Sequence, residues 1–208
     1  MAGLNPQSQL LTIAGPAGPL ELVIDAPQDA ALRGVVVVCH PHPLHGGTMD
    51  NKVVQTLARA FLQLGYRVAR FNFRGVGASG GQYDEGRGEV DDALAVVAAV
   101  RDPALPLALA GFSFGAYVAA AAAARLPADQ AAERLALVGP ATSRFPVPPV
   151  PADTLVIHGE TDDVVPLQAT LDWARPQVLP VVVVPGVGHF FHGQLSVLKS
   201  LVTGAWHR

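Results

Sequence analysis

The chain has 208 residues, of which 50% are hydrophobic and 15% are charged, and this composition excludes intrinsic disorder as its main state. A chain of this length buries enough surface to fold without disulfides or a structural metal, and it predicts a single domain over residues 1–208. The formal net charge of −3 offers no basic surface for phosphate backbones, so we expect no nucleic-acid partner.

Little in the sequence points to export or to a membrane. The single cysteine, Cys39, excludes an internal disulfide and fits a reducing compartment. Residues 1–9 lack the basic start and apolar run of a secretory signal. The longest stretch of low polarity, residues 114–124, is shorter than the roughly 20 residues of a membrane-spanning helix. We therefore expect a cytoplasmic protein without a membrane partner, either a monomer or a homodimer.

Short apolar runs rich in β-branched residues predict the strands of a sheet. Two alternating segments, residues 10–13 and 20–24, enclose a Gly/Pro turn and predict an antiparallel hairpin at the sheet edge. The later runs are continuous rather than alternating, which is typical of strands buried on both faces of a parallel sheet. These later runs are residues 34–39, 66–71, 107–110, 135–138, 154–157 and 181–184.

Helical patterns separate the later strands. Apolar stripes predict helices over residues 53–64 and 90–100, residues 114–126 predict an alanine-rich helix, Pro166 opens a fourth, and residues 194–205 form a fifth. Alternating strands and helices predict an α/β fold with a mostly parallel sheet of about eight strands and helices on both faces. Three acidic residues at the start of the second helix, which we interpret as compensating the helix dipole, are Glu89, Asp91 and Asp92.

The pentapeptide GFSFG at residues 111–115 is the strongest chemical signal in the chain. It follows a predicted strand and precedes the alanine-rich helix, which is the context that a nucleophile elbow, G-x-S-x-G, requires. The turn would lift the Ser113 hydroxyl above the sheet edge and offer the Phe114 N–H, at a helix N-terminus, to an anion. We predict Ser113 as a nucleophile; a helix-capping serine in a tight turn is the alternative.

A nucleophilic serine needs a basic partner, and in this architecture the base comes after the serine and after an acid. His189 directly follows the run at residues 181–184, so it is expected at the same sheet edge as the serine. His192, three residues further on, is the second candidate. His158 ends a strand rather than following one, and His207 is terminal.

The acid is expected in the segment HGETDDVVP, which follows the run at residues 154–157. Three acids compete there, and spacing separates them weakly. An acidic loop before a helix also commonly does no more than compensate the helix dipole. The three candidates are Glu160, Asp162 and Asp163.

The segment HPHPL at residues 40–44 follows the first buried run and should supply a second donor to an oxyanion. Pro41 and Pro43 have no N–H, so the His42 N–H is the best-placed donor and Leu44 is the second. The alternative is a rigid loop that two prolines shape and that has no catalytic role.

Two rival interpretations concern metal and dinucleotide binding. Imidazoles are common zinc ligands, but no acidic ligand accompanies the cluster of His40, His42 and His45. The segment GVGASG at residues 75–80 matches G-x-G-x-x-G, but a dinucleotide site needs a helix to open there, and here the loop continues. We expect no metal and no cofactor.

Together these motifs resemble those of the α/β-hydrolase superfamily over residues 10–205. The resemblance implies that Asp162 is the triad acid, that His189 is the base, and that Asn72 and Arg74 support the loop after the fourth strand. Serine stands where true dienelactone hydrolases use cysteine, so their substrate is not carried over. The matching segments are GFSFG (111–115), HGETDDVVP (158–166), GVGHFFHG (186–193), FNFRGVGASGG (71–81) and HPHPLHGGTMDNKVV (40–54), the last resembling small, lid-free hydrolases related to the dienelactone-hydrolase type.

The sequence therefore predicts a serine hydrolase that cleaves an acyl bond through a covalent acyl-enzyme, and we favour a carboxylic ester of a short-chain acid as its small-molecule substrate. The predicted site comprises Ser113, Asp162 and His189 as the triad, with the backbone N–H groups of His42 and Phe114 as oxyanion donors. A thioesterase or peptidase would use the same residues, and a non-catalytic binding protein of the same fold is the alternative from another class.

The segment at residues 140–151 lies where a lid would be inserted, between the sixth and seventh predicted strands. It is short and contains five prolines, which disfavour a helix interior. We expect a stiff rim without a cap.

Overall fold

The computed structural model describes residues 8–28 and 31–206. Its strands form an eight-stranded sheet in the order β1-β2-β4-β3-β5-β6-β7-β8. β1 pairs antiparallel with β2 and β2 with β4, while all other neighbours are parallel, so the predicted hairpin and mostly parallel sheet are confirmed. The strands are β1 (Gln9–Gly15), β2 (Gly18–Asp25), β3 (Gly34–Cys39), β4 (Tyr66–Phe71), β5 (Leu107–Phe112), β6 (Arg134–Val138), β7 (Leu155–Gly159) and β8 (Val181–Val184).

The predicted helices cover both faces of the sheet. α1 and α5 pack against each other on one face, and α2 and α3 on the other. None of the described helices combines the length and hydropathy needed to cross a bilayer. Residues 1–7, part of the segment inspected for a targeting signal, and His207, set aside as a base, lie outside the described residues. The helices are α1 (Lys52–Gln63), α2 (Arg87–Val100), α3 (Phe114–Arg125), α4 (Leu167–Ala174) and α5 (Leu195–Ala205).

The central strand β3 shows why its apolar run is continuous. Val35 and Val37 belong to the core layer beneath α2 and α3, whereas Val36 and Val38 belong to the layer beneath α1 and α5. Successive side chains of a strand point to opposite faces, so a strand covered on both faces needs an apolar residue at every position. Full burial of each valine contributes roughly 1.5–3 kcal/mol.

The dipole interpretation of the acidic residues near the start of α2 is wrong for two of the three. Glu89 does lie in the first turn. Asp91 instead pairs with Arg125 of α3 at 2.7 Å, and Asp92 pairs with Arg74 after β4, also at 2.7 Å. These two carboxylates fasten α2 to other elements rather than compensating its dipole.

The connection between β6 and β7 contains turns and bends and no helix over residues 139–154, which confirms the expected absence of a helical cap there. The segment is nevertheless fastened to the body of the protein. The Trp173 indole donates to the carbonyl of Val147 at 3.0 Å, and the Val150 N–H donates to Gln177 at 2.9 Å. Together with its prolines, these bonds hold the segment as a rim beside the sheet.

Candidate active site

Ser113 is the single residue between β5 and α3, and its backbone is strained. Its φ of 57° and ψ of −118° lie in a region that non-glycine residues rarely occupy. A Cβ on Gly111 would lie 2.2 Å from the Gly115 carbonyl oxygen, and one on Gly115 would lie 2.2 Å from that of Cys39. Both glycines therefore allow the strand and the helix to approach closely.

Ser113, His189 and Asp162 come together as a continuous hydrogen-bonded series. The Ser113 Oγ lies 2.9 Å from His189 Nε2, and His189 Nδ1 lies 2.6 Å from Asp162 Oδ2. All three residues are buried, with exposed fractions of 8%, 2% and 8% for Ser113, His189 and Asp162. With Asp162 ionised, Nδ1–H donates to it and leaves Nε2 to accept the serine proton.

Asp162 is built to keep its charge. Its Oδ1 accepts the N–H groups of Val164 at 2.9 Å and Val165 at 2.7 Å. Burial by itself would raise the pKa of the Asp162 carboxyl, but the bonds from His189 and from the two N–H groups outweigh it and hold that pKa below its ordinary value. The carboxylate is therefore ionised at neutral pH.

The competing acids are placed elsewhere. Asp163 is exposed, and Glu160 is an exposed residue whose carboxylate accepts the N–H of Gly186 at 2.8 Å. Of the three candidates in this loop, only Asp162 is hydrogen-bonded to His189 among the described contacts.

His189 and His192, both in the loop after β8, differ in exposure, because His189 is buried and His192 is exposed. Phe191, between them, has a positive φ of 53°. Its side chain is fully buried and anchors the loop. His192 is exposed, with its ring 5.7 Å from that of Phe190. His189 is thus directed to Ser113, and His192 is directed to solvent.

The two predicted oxyanion donors remain unused. Within the described residues, no hydrogen bond engages the N–H of His42 or of Phe114. The N–H of Leu44, the second candidate, donates instead to Nδ1 of His42 at 3.3 Å. His42 and Ser113 line the same cleft, so His42 is the better-placed of the two loop donors.

His40 supports the His42 loop, a role that its sequence context did not reveal. Its Nδ1–H donates to the Pro41 carbonyl at 2.6 Å, and its Nε2 accepts the N–H of Phe73 at 3.1 Å. Burial lowers the pKa of His40 to about 3 although the Pro41 carbonyl opposes the shift, so the ring stays neutral. The imidazole joins the loop after β3 to the loop after β4.

His158 gives comparable support to the acid loop. It is fully buried at the end of β7, and its Nε2–H donates to the Val165 carbonyl at 2.9 Å. Asp162 Oδ2 lies 3.4 Å from the same nitrogen. Burial lowers the pKa of His158, so this imidazole is neutral as well. It secures the turn whose N–H groups bind Asp162.

The metal interpretation of His40, His42 and His45 conflicts with these contacts. Both ring nitrogens of His40 are already engaged by the backbone, and Nδ1 of His42 accepts an N–H. Within residues 8–28 and 31–206, no group of three or more His, Cys, Asp or Glu side chains is arranged to hold a metal ion.

The dinucleotide interpretation of residues 75–80 fails on backbone geometry. The N–H of Gly75 donates to the Gly80 carbonyl at 3.1 Å, which closes the segment into a loop. The next helix, α2, begins only at Arg87, so no helix N-terminus faces this loop where a pyrophosphate would bind. Asn72 instead supports the turn, because its Nδ2 donates to Glu21 at 2.7 Å and its Oδ1 accepts the Met49 N–H at 2.9 Å.

A small cleft opens above the serine. It has a volume of about 80 Å³ and an exposed apolar side chain, Phe190, at its wall. A larger groove of about 460 Å³ lies between the β1–β2 hairpin and the end of α2, and its lining excludes the hydrogen-bonded series. The cleft is lined by Pro41, His42, His45, Gly46, Gly47, Asn51, Ser113, Val164, His189 and Phe190.

Comparison with known proteins shows the family and the fold of the chain. The sequence model of the serine aminopeptidase S33 family matches residues 30–151. The chain is similar to XC6422 of Xanthomonas campestris, described as an α/β serine hydrolase without a lid, with 42% identity, a TM-score of 0.89 and coverage of 98% of this chain and 96% of that one. It is also similar to an α/β serine hydrolase homologue from Coxiella burnetii, with 41% identity, a TM-score of 0.84 and coverage of 96% and 97%.

A curated relative extends the similarity without adding a function. An uncharacterized protein of Rickettsia prowazekii (strain Madrid E), RP471, is 36% identical over 139 residues, or 63% of this chain. The chain spans 58% of the length of that relative.

Proposed function

The chain belongs to the α/β-hydrolase superfamily, within the serine hydrolase family matched by the serine aminopeptidase S33 model, and on that premise we propose that it hydrolyses carboxylic esters of short-chain acids. The observation that carries the proposal is the uninterrupted series from Ser113 Oγ through His189 to Asp162, which ends at a cleft open to solvent.

Acylation begins at Ser113. Its Oγ attacks the ester carbonyl carbon while His189 Nε2 takes the Oγ proton, and the carbonyl π electrons move onto oxygen. The resulting imidazolium is stabilised by the ionised Asp162. When the tetrahedral intermediate collapses, His189 donates its proton to the leaving alkoxide, and an alcohol departs from the acyl-enzyme.

Deacylation repeats the same steps with water. His189 takes a proton from the water that attacks the acyl carbon, and the second tetrahedral intermediate expels Ser113 Oγ, which recovers the proton from His189. The products are one carboxylic acid and one alcohol for each ester and water consumed. The backbone N–H groups of His42 and Phe114 hold the negative oxygen in both intermediates.

Two observations favour short acyl groups. The cleft above Ser113 is small, at about 80 Å³, and the connection between β6 and β7 carries no helical cap. A site without a cap has no long apolar groove for an acyl chain and gains little from water exclusion. We expect rates to fall for acyl chains beyond about ten carbons, with no rise when substrate passes its solubility limit. Interfacial activation would contradict this expectation.

The family match makes an aminopeptidase the second candidate, and the cleft argues against it. An aminopeptidase must bind the α-ammonium group of its substrate, which a nearby carboxylate stabilises. Among the described residues that line the cleft there is no acidic side chain. Ester hydrolysis requires no such partner, so the lining favours an ester.

A fluorophosphonate probe and a panel of acyl substrates test the proposal. The probe should label Ser113 in the wild-type protein and not in Ser113→Ala, and short p-nitrophenyl esters should be cleaved faster than aminoacyl p-nitroanilides. A wild-type protein that resists the probe and cleaves none of these substrates would instead be a binding protein of the same fold.

A further inference from the structure

Tyr83 lies in the loop between β4 and α2 and contacts both residues whose N–H groups we assign to the oxyanion. Its ring centroid is 4.9 Å from the ring of His42 and 6.0 Å from that of Phe114. The rings of His42 and Phe114 are themselves 5.1 Å apart. The three rings therefore form a triangle beside the cleft, and Tyr83 is the one member with no part in the proposed chemistry.

The His42 imidazole is held at both nitrogens. Its Nδ1 accepts the Leu44 N–H at 3.3 Å, so the ring proton lies on Nε2, which donates to Tyr83 Oη at 3.1 Å. Burial lowers the pKa of His42, and the neighbouring His45 and Arg144 lower it further, so the ring is neutral as this arrangement requires. Tyr83 thus fixes the far side of the residue that offers the oxyanion donor.

Tyr83 is itself held by α2. The carboxylate of Glu89, fully buried in the first turn of that helix, accepts the N–H of Asp84 at 2.9 Å and of Gly86 at 2.8 Å. These bonds fix the backbone just after Tyr83 to a regular element. Its hydroxyl therefore has a defined position from which to hold His42.

We propose that Tyr83 is a positioning residue for the oxyanion hole, acting through His42 on the distance between the two donors. The inference rests on the proposed hydrolase function. Oxyanion donors stabilise the transition state only when both meet the negative oxygen at hydrogen-bond distance, so a small displacement of His42 weakens that stabilisation. Ground-state binding does not depend on this spacing, so the effect falls on kcat and not on KM.

The matched variants are Tyr83→Phe and Tyr117→Phe. Tyr117 belongs to the same aromatic cluster, 6.1 Å from Phe114, but its hydroxyl makes no hydrogen bond to a described residue. Tyr83→Phe should lower kcat about 10-fold, less than the roughly 10²–10³-fold that loss of a direct donor costs, with KM within about twofold. Tyr117→Phe should change neither constant. Equal effects of the two variants would reduce Tyr83 to a packing residue and overturn the inference.

A double-mutant cycle tests whether Tyr83 acts through His42. His42→Ala keeps the backbone N–H and removes the imidazole, so Tyr83→Phe should cost nothing further in that background. An undiminished 10-fold loss there would overturn the inference, because Tyr83 would then act by another route. Active-site titration counts the folded, reactive molecules. The kcat values of the variants can therefore be compared even if one variant folds less well.

Fluorophosphonate labelling separates failure of this inference from failure of the proposed function. The phosphoryl oxygen of the probe occupies the oxyanion hole, so the labelling rate of Ser113 should fall with kcat in Tyr83→Phe and stay unchanged in Tyr117→Phe. Wild-type labelling with no slowing in Tyr83→Phe would overturn the positioning role alone. Absence of wild-type labelling would overturn the hydrolase function, and the positioning role with it.

Discussion

Asp92 and Asp162 are both buried carboxylates that accept three hydrogen bonds, yet their partners differ in kind. Asp92 accepts all three from Arg74, from its backbone N–H at 3.0 Å and its guanidinium at 3.0 and 2.7 Å. Asp162 accepts two from the backbone N–H groups of Val164 and Val165 and one from His189. One carboxylate faces a permanent cation, and the other faces a group that is charged only when protonated.

The different partners suit different roles: Asp92 stabilises the fold, and Asp162 is assigned to the proposed catalysis. The Asp92 carboxylate raises the already high pKa of Arg74, so the guanidinium is a permanent cation, and the pair joins α2 to the loop after β4. The negative charge of Asp162 has no Lys or Arg partner among its described contacts. In the proposed mechanism this charge is compensated when His189 takes the proton of Ser113, so the pairing favours the transition state.

The largest test removes the nucleophile or the base. Ser113→Ala or His189→Ala should lower kcat by roughly 10⁴–10⁶-fold, because members of a triad act as a unit. His192→Ala is the matched control and should cost far less, since its ring is exposed. Steady-state kinetics with a short ester measure the effect. More than a tenth of the activity left in Ser113→Ala, or a larger loss in His192→Ala than in His189→Ala, would contradict the assignment.

The next largest effect is expected from changing the carboxylate that is hydrogen-bonded to His189. Asp162→Asn should lower kcat roughly 10³–10⁴-fold, because an amide that donates to His189 selects the wrong tautomer for accepting the serine proton. Its thermal midpoint should change little, since the two N–H bonds to Oδ1 can persist. A variant that unfolds in place of losing kcat would show that Asp162, like Asp92, mainly fastens the fold.

Replacement of Asp92 should have the opposite result, with a loss of stability and little change in kcat. Asp92→Asn leaves the buried Arg74 charge uncompensated and should lower the free energy of unfolding by about 3–5 kcal/mol, measured in urea, with kcat per folded molecule near that of the wild type. Asp91→Asn, one residue away on α2, breaks an exposed pair with Arg125 and should cost less than about 1 kcal/mol. Equal costs for the two variants would erase the distinction between them.

Acidification probes the groups that are buried without charge. The folded protein keeps His40 neutral down to about pH 3, whereas an unfolded chain protonates its histidines near about pH 6.5. Unfolding therefore takes up a proton in the pH range between these two values. The free energy of unfolding has its full value above the unfolded pKa, and below it falls by roughly 1 kcal/mol per pH unit for such a histidine. Urea midpoints that stay constant from about pH 7 to about pH 4 would contradict this.

The smallest expected effect is that of chelation. Activity should survive prolonged EDTA treatment, because the proposed activation of Ser113 uses His189 and no cation. Initial rates before and after dialysis measure it. Loss of activity that zinc restores would return His40, His42 and His45 to consideration as ligands.

The sequence predicted those parts of the site that short segments encode. The elbow at Ser113 and the loops of Asp162 and His189 each follow a recognisable strand, so their meeting at one sheet edge could be derived. Resemblance was still needed to select Asp162, because spacing alone did not separate it from Asp163. Here the structure adds the physical reason, which is the pair of N–H groups that bind Asp162 and not its neighbour.

Apart from the support that the resemblance implied for Asn72 and Arg74, the supporting contacts could not be predicted, because their partners are far apart in the chain. Arg70 is fully buried in β4 and pairs with Asp25 of β2 at 3.1 Å. His40 reaches Phe73, and Tyr83 reaches His42, across similarly large sequence separations. A periodicity describes which face a side chain occupies, whereas such pairs depend on strand order and loop paths.

The sheet order has a consequence for synthesis of the chain. The β1–β2 hairpin is made first, but its partner in the sheet is β4, which follows β3 and α1. About 40 residues separate Asp25 from Val68, its partner in the β2–β4 pair. At ribosomal rates of about 5–20 residues per second, β4 is therefore synthesised roughly 2–8 seconds after the hairpin. Throughout this interval Leu22 and Val23, both buried in the finished protein, belong to an open strand edge that a nascent-chain chaperone could bind.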